Sequence, residues 1–314
     1  MNKIVVTGGA GFIGSNLIRA LIARNATPVI ALDNLFSGKL ANLEGLTGVQ
    51  LENADIRDYD RIAPILAGAD TVFHLAAIPS VPRSIVEPIP SHEVNINGTF
   101  NVLQACRAGG VRRVVYAASS SAYGDTLVLP KVESMPPNPK SPYAAQKLMG
   151  EYYASVFHSC FQLETVSLRF FNVFGPRQDP SSPYSGVLSI FNKCLLARTS
   201  PTLYGDGEQT RDFTYVEDVA ALCIKASQAP SQVCGKVYNA GNGNRYSLNQ
   251  VWQTLQQIEG VSIPASYGPP RAGDVRDSQA DTTAAVRDLN HAPQFSLEEG
   301  LRRTLDWYRT DAQR

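Results

Sequence analysis

The stretch Val5-Val6-Thr7-Gly8-Gly9-Ala10-Gly11-Phe12-Ile13-Gly14 decides how the rest of the chain is read. Lys3-Ile4-Val5-Val6 suits a short buried parallel strand, and Phe12 to Arg24 follows with the apolar spacing of a helix. The glycines therefore fall in a strand-to-helix turn. Gly8 permits the tight turn, Gly11 lets the backbone approach a pyrophosphate, and Gly14 lets the helix pack closely on its strand. The first N–H groups of that helix then face an anion. A glycine triplet alone also fits a loop or the end of a helix.

What lies downstream favours a dinucleotide. Pro28-Val29-Ile30-Ala31-Leu32 is a second apolar run, and it ends at Asp33, nineteen positions after Gly14. An acidic residue there accepts hydrogen bonds from both ribose hydroxyls of an adenosine and repels a 2′-phosphate, so NAD is favoured over NADP. An Asp capping a loop turn, with Asn34 and Gly38 beside it, is the other reading.

The 314 residues, 44% hydrophobic, can bury one large core or a core and a smaller lobe. With 28 basic and 28 acidic residues interspersed, the net charge is +0, and no field gathers nucleic acid or anionic lipid. The first strand begins within three residues of Met1, and no apolar run reaches membrane-spanning length, so a cytoplasmic protein is expected. Cys106, Cys160, Cys194, Cys223 and Cys234 lack metal-ligand or redox spacing and read as reduced core thiols. No metal is expected.

Strands and helices alternate through the first half. Val49–Ala54 is a strand ending at Asp55-Ile56, and Tyr59–Leu66 a helix. Thr71–Leu75 is a strand ending in Ala76-Ala77. Asn97–Gly109 is a helix, Val114–Ala118 a strand, Pro142–Phe157 a helix and Thr165–Leu168 a strand. The pattern predicts an α/β fold: a doubly wound, parallel Rossmann sheet with ligands at the carboxyl ends of its strands. Asp55 can there reach an adenine, and Ala76-Ala77 can pass under a cofactor. His74, without a partner at metal spacing, reads as a packed strand-end residue. After Phe174-Gly175-Pro176 the regularity breaks. Residues 1–175 form the expected cofactor domain and 176–314 a smaller mixed α/β substrate lobe, interleaved with it at about 176–230 and 240–300. Helices are expected at about 186–198, 216–229, 248–259 and 297–308.

The chemistry is concentrated in Ser119-Ser120-Ser121-Ala122-Tyr123-Gly124 and Tyr143-Ala144-Ala145-Gln146-Lys147. Residues four apart share one helix face, so the Tyr143 phenol and Lys147 ammonium can converge. A free phenol, with a pKa near ~10, is a poor base at neutral pH, but an ammonium and an oxidised nicotinamide favour phenolate. Tyr143 can then take a proton from a substrate hydroxyl while hydride leaves the same carbon. A serine hydroxyl at the end of the fifth strand can bond the same oxygen. An amphipathic pair beside a polar turn is the plainer alternative.

The glycine turn, Asp33, Asp55, His74-Leu75-Ala76-Ala77, Asn95 in Val94-Asn95-Ile96-Asn97-Gly98-Thr99, the serine run and Tyr143/Lys147 together resemble the extended short-chain dehydrogenase/reductase family. Within it, the chain is similar to the UDP-sugar 4-epimerases from about Lys3 to Tyr308. The resemblance implies catalytic roles for Tyr143, Lys147 and Ser119, with Ser120 and Ser121 as alternatives for the hydroxyl. It also implies an NAD that stays bound through turnover. The implied cofactor contacts are Gly8, Gly11, Phe12, Ile13, Gly14, Asp33, Asn34, Ser37, Gly38, Asp55, Ile56, Leu75, Ala76, Ala77, Asn95 and Phe170, besides Tyr143 and Lys147. Related nucleotide-sugar dehydratases carry an Asp-Glu pair after the catalytic hydroxyl; Ser120-Ser121 stands there here, so elimination lacks its proton donor.

Arg169 to Pro180 resembles the epimerase segment whose Asn binds the diphosphate, which gives that role to Asn172. Residues 203–213 and 271–276 resemble the UDP-binding segments. Arg211 and Arg271 are expected on the diphosphate, Asp274 on a ribose hydroxyl, Tyr204 against uracil, and Val187 near the substrate. Ser278 aligns with a place where some hexose-specific relatives carry a bulky Tyr, so room for an N-acetyl group is expected. The implied activity is reversible C4 inversion of UDP-GlcNAc/UDP-GalNAc and UDP-glucose/UDP-galactose. A UDP-glucuronate epimerase, a decarboxylase, a dehydratase or a reductase is the nearest alternative, and an NAD(H)-sensing scaffold the non-enzymatic one. The resemblance also suggests a homodimer through helices near 97–109 and 144–157. Leu103 and Cys106 suit that interface, or equally the monomer core.

Overall fold

The computed structural model describes residues 3–26, 28–179, 186–270 and 275–311. In chain order its elements are β1 (Ile4–Thr7), α1 (Phe12–Ile22), β2 (Val29–Asp33), β3 (Val49–Asn53), α2 (Tyr59–Leu66), β4 (Thr71–His74), α3 (Val81–Val86) and α4 (Pro88–His92). A π turn (Glu93–Gly98) leads into α5 (Thr99–Ala108), β5 (Arg113–Ser119), α6 (Pro142–Phe161), β6 (Glu164–Phe170) and β7 (Asn172–Phe174). Then come α7 (Val187–Leu196), β8 (Thr202–Tyr204), β9 (Thr210–Arg211), β10 (Phe213–Tyr215), α8 (Val216–Gln228) and β11 (Lys236–Ala240). The last elements are β12 (Tyr246–Ser247), α9 (Leu248–Glu259), β13 (Ser266–Gly268), α10 (Thr283–Leu289) and α11 (Leu297–Asp311).

Seven parallel strands form the central sheet in the order β3-β2-β1-β4-β5-β6-β11. The near-continuous apolar runs follow from burial on both faces. Successive side chains point to opposite sides: Val6, Phe73 and Val115 join a core with Leu17 and Ile18 of α1 and Leu222 of α8. Val5, Val72 and Val114 join the opposite core with Ile62 of α2, Val102 of α5 and Phe157 of α6. Val5 and Val6 are both fully buried, each contributing about 1.5–3 kcal/mol.

The sixfold alternation of the first half is present, and the α/β Rossmann-type fold is as expected. β11, not read from sequence, is a seventh strand on the β6 edge. α8, which the interleaved division places with the second lobe, lies against α1 and the sheet. Arg113 on β5 holds it there. That guanidinium, 2% exposed, bonds Glu164 and donates to Ala226 O and Ser227 O at 2.9 and 3.2 Å, where the α8 carbonyls run out of intrahelical partners. A separate core of Leu188, Phe191, Trp252, Leu255, Leu301 and Leu305 unites α7, α9 and α11.

Of the two readings open for Leu103 and Cys106 the monomer core holds, and the expectation that all five cysteines are core thiols changes. Leu103 and Cys106 are buried in the monomer core with α2, so they present no face to a partner. Cys106, Cys223 and Cys234 are buried, but Cys160 is exposed on α6, and Cys194 is half-buried at the edge of the core shared by α7, α9 and α11. No helix among the described residues is long and apolar enough to cross a membrane.

Candidate active site

Gly8 closes the turn after β1 with φ +70°, and a Cβ there would lie 2.9 Å from Ala76 N. Both the backbone conformation and the close approach of β4 therefore demand glycine. Gly14 packs against the same turn: a Cβ would fall 2.1 Å from Gly8 O. α1 starts at Phe12 with Gly11 as its N-cap, and no side chain caps its first amides among the described residues. The amides of Phe12, Ile13 and Gly14 thus offer the donors and the positive dipole end that a diphosphate requires. The cradle fits a dinucleotide.

Asp33 ends β2 beside this turn. Its oxygens accept from Ala10 N at 2.9 Å and Leu35 N at 2.8 Å, and burial pushes its carboxyl up against those two bonds. A Cβ on Gly38 would stand 2.8 Å from both oxygens, so that glycine lets the loop 34–38 close over the carboxylate. Asn34 and Ser37 are exposed on the same loop. Asn34 also donates to Asp55 at 2.8 Å, while Arg57 grips Asp55 through its backbone and guanidinium and brings it down to about 2. Ile56, next to it, is buried. Leu75, Ala76 and Ala77 are half-buried at the end of β4.

α6 begins with Ser141 as N-cap, its hydroxyl accepting from Ala144 N, and Pro142 in the first turn. Tyr143 and Lys147 follow one turn apart on the side that meets the sheet. Tyr143 is half-buried and its N–H donates to Ser84 Oγ at 3.1 Å. Burial raises its phenol above the ordinary value, whereas the Ser119 hydroxyl lowers it. Ser119 ends β5. Its oxygen accepts from Ser121 N at 3.2 Å and from Ser121 Oγ at 2.8 Å, which leaves its own hydrogen for Tyr143. Lys147 is 3% exposed, its ammonium 4.6 Å from the Tyr116 ring centroid. Burial brings it down to about 7, partly opposed by Glu151. Glu151 itself is held by Arg169 in a buried bidentate pair.

Of the serines, Ser119 meets the phenol and Ser121 orients Ser119; Ser120 begins the 3-10 turn Ser120–Tyr123. Phe170 sits beside Ser119 in the sheet register and is 9% exposed. Asn95 differs from expectation. It is 1% exposed and its amide is spent on Ile78 N, Ile78 O and Gln146, so it braces the site from behind. Gln146, Ser84 and Ser91 escape the sequence reading. Their one signal is polarity on buried stretches, most visibly a Gln between Ala144 and Leu148 on the inward face of α6.

The second-half candidates converge on short strands. Exposed Asn172 opens β7, and its N–H donates to Asp212 O, which sets it beside Arg211. Arg211 donates to Thr210 O and Arg276 O, both at 2.9 Å, and Ser278 N donates to Thr210 O. Tyr204, 37% exposed, ends β8 against β13. Val187 starts α7, half-buried. Arg271 and Asp274 lie outside the described residues.

Residues 4–241 match the model of the NAD dependent epimerase/dehydratase family. A UDP-glucose 4-epimerase of Mycolicibacterium smegmatis is 38% identical over 99% of this chain and 100% of its own length. Among solved structures, a UDP-N-acetylglucosamine 4-epimerase from Methanobrevibacter ruminantium, in complex with UDP-N-acetylmuramic acid, superposes with a TM-score of 0.94 at 37% identity, covering 99% of both chains. A UDP-glucuronic acid 4-epimerase from Bacillus cereus, in complex with UDP-glucuronic acid and NAD, gives 0.91 at 33% identity over 98% of this chain and 99% of that one. With the glycine cradle and the Tyr143/Lys147 pair on one matching span, the chain belongs to the NAD-dependent epimerase/dehydratase family.

Proposed function

We propose that this enzyme inverts C4 of a UDP-hexose through a 4-keto intermediate. The observation that carries the reading is the Ser119–Tyr143 contact at the strand ends, with Lys147 one turn on and the uncapped first turn of α1 beside it. NAD, when bound, supplies the nicotinamide carbon that accepts hydride from C4 and gives it back to either face of the ketone. Gly11 to Gly14 hold its diphosphate, Asp33 its adenosine ribose, and Lys147 adds positive charge next to Tyr143.

Tyr143 takes the 4-hydroxyl proton as hydride leaves, and returns it when the ketone is reduced. Ser119 donates to the same oxygen. Because burial opposes ionisation of Tyr143, the phenolate depends on Lys147 remaining an ammonium. Asn172, Arg211 and Arg271 anchor the substrate diphosphate, Asp274 the ribose and Tyr204 the uracil, so the sugar turns about a fixed UDP. Ser278 leaves room at C2, and UDP-GlcNAc and UDP-GalNAc are substrates alongside the unacetylated pair.

Phe100, Met149, Tyr152, Val156 and Phe161 leave α5 and α6 with 40–51% of each of these residues exposed. Such a patch suits a homodimer built on a four-helix bundle. The protein acts in the cytoplasm, where reduced thiols persist. Incubating pure enzyme with UDP-GlcNAc, UDP-glucose and UDP-glucuronate separately, with no added cofactor, and resolving the products tests the reading. A C4-inverted product is expected from the first two. Net NADH release, carbon dioxide, or no inversion with any sugar would replace it.

A further inference from the structure

Behind the candidate site runs an unbroken line of buried polar bonds. Ala76 N donates to Thr7 Oγ1 at 3.2 Å, and Thr7 Oγ1 lies 2.8 Å from His74 Nδ1. On the other side of the ring, His74 Nε2 lies 3.0 Å from Thr99 Oγ1, which donates to Asn95 O at 2.8 Å. Asn95 Nδ2 donates to Gln146 Oε1 at 2.8 Å, and Ser91 Oγ donates to the same oxygen at 2.8 Å. Gln146 immediately precedes Lys147. Every side chain in this line is between 0% and 4% exposed except for the half-buried backbone of Ala76.

Counting protons fixes the direction. Thr99 spends its single hydrogen on Asn95 O, so it must accept from His74, which puts the ring proton on Nε2. Nδ1 is then an acceptor and takes the Thr7 hydrogen, leaving Thr7 Oγ1 to accept from Ala76. Thr7 and Thr99 each donate one bond and accept one, so every hydrogen along the line has a single acceptor. A second proton on His74 would break the Thr7 bond and place a cation near Lys147; burial and Lys147 together bring the imidazole down to about 3.

We propose that His74, as a neutral Nε2–H imidazole, is a positioning residue that ties the glycine turn after β1 to Gln146, and so fixes Tyr143 and Lys147 relative to the cofactor cradle. The cradle sits on β1 and α1 and the catalytic pair on α6, and among the described residues no strand pairing joins the two halves directly. The line crosses between them through the ends of β4 and the π turn. Its position explains why Asn95 is consumed internally, and why a glutamine occupies the buried face of α6. The proposal rests on the reading of Tyr143 and Lys147 as the catalytic pair.

The test uses NAD-loaded enzyme with UDP-glucose and UDP-GlcNAc as probes. His74→Phe keeps an aromatic ring and removes both bonds; Gln146→Met keeps volume and removes the acceptor. For each, kcat per bound NAD should fall, by up to about 100-fold, with KM within about threefold. His74→Gln, which restores a donor toward Thr99, should recover part of the loss. Because both act on one line, the double variant should lose little more than the worse single one. Unaltered kcat per bound NAD in both single variants, or losses that multiply, would overturn the proposal. Nitrogen-15 NMR of the wild type gives a readout independent of turnover and of mutant folding. His74 should show the Nε2–H tautomer, unchanged from pH 6 to 8; the other tautomer, or titration within that range, would overturn it. Tyr143→Phe separates the two readings, since retained turnover there refutes the catalytic pair without touching the NMR result.

Discussion

The strand ends that carry the candidate site and the seam joining residues 210–214, 241–243 and 280 use the same groups in opposite ways. At the seam, Asp212 is fully buried and saturated. One oxygen accepts from Asn242 N and Thr214 Oγ1 at 2.8 and 3.2 Å, the other from Gly243 N and Ala280 N at 2.9 and 3.1 Å. At the strand ends, Asp33 takes one bond on each oxygen among the described residues, the Ser119 hydroxyl lowers the half-buried Tyr143 phenol, and α1 has no side-chain cap. Saturated polar groups hold structure. Groups with unspent bonding capacity are the ones that receive ligands.

The largest effect should come from the least saturated pair. Tyr143→Phe removes the proton acceptor and keeps the ring, so turnover should fall by about 10³-fold while UDP-sugar binding, read by calorimetry, stays near wild type. Near-normal turnover would erase the contrast. At the seam the expected loss is in stability. Asp212→Asn turns an amide NH₂ toward two donors whichever way it is flipped, and the cost is about 2–3 kcal/mol, measured by denaturant unfolding. The enzyme that remains folded should keep its kcat, because Asp212 holds the lobe without touching reacting atoms.

This contrast also explains what can be read from sequence. The glycine turn, Asp33 and the Tyr143/Lys147 pair are legible because each function is local: a turn and a helix need a handful of consecutive residues. Asp212 meets backbone amides 30, 31 and 68 positions away, and nothing beside it announces them. β11 is likewise five residues, Lys-Val-Tyr-Asn-Ala, whose strand character comes from pairing with β6. The apolar stripe with Leu103 and Cys106 shows that a face is covered, but α2 of the same chain, rather than a second copy, covers it. α8 finds its layer through an apolar face packed with Leu17 and Ile18 of α1 and through Arg113, more than 100 residues upstream, which bonds its last carbonyls.

Asp33 lies between the extremes and sharpens the comparison on the ligand side. Asp33→Asn retains an acceptor for one of its two backbone partners but loses the charge that repels a 2′-phosphate. Relative retention of NAD over NADP, measured by reconstituting stripped enzyme, should drop by about tenfold, roughly 1.4 kcal/mol. An unchanged ratio would mean that the carboxylate serves only the loop 34–38.

Asp55 supplies the smallest effect and the cleanest control, because it accepts as many bonds as Asp212: one from Asn34 and three from Arg57. If bond count alone governed stability, the two would be equal. They differ in burial, since the Arg57 and Asp55 side chains are 49% and 24% exposed. Water competes for every one of those bonds, and the ion pair is screened, so Arg57→Ala should cost less than about 1 kcal/mol. The pH dependence has a definite sign. The folded carboxyl is depressed to about 2 from 3.8, so its contribution is complete above pH 3.8 and disappears as the pH falls through about 2. Between pH 5 and 8 the stability difference between wild type and Arg57→Ala should therefore be flat, narrowing only in acid. A cost as large as that of Asp212→Asn would show that the count of bonds, and not the exclusion of water, makes a carboxylate structural.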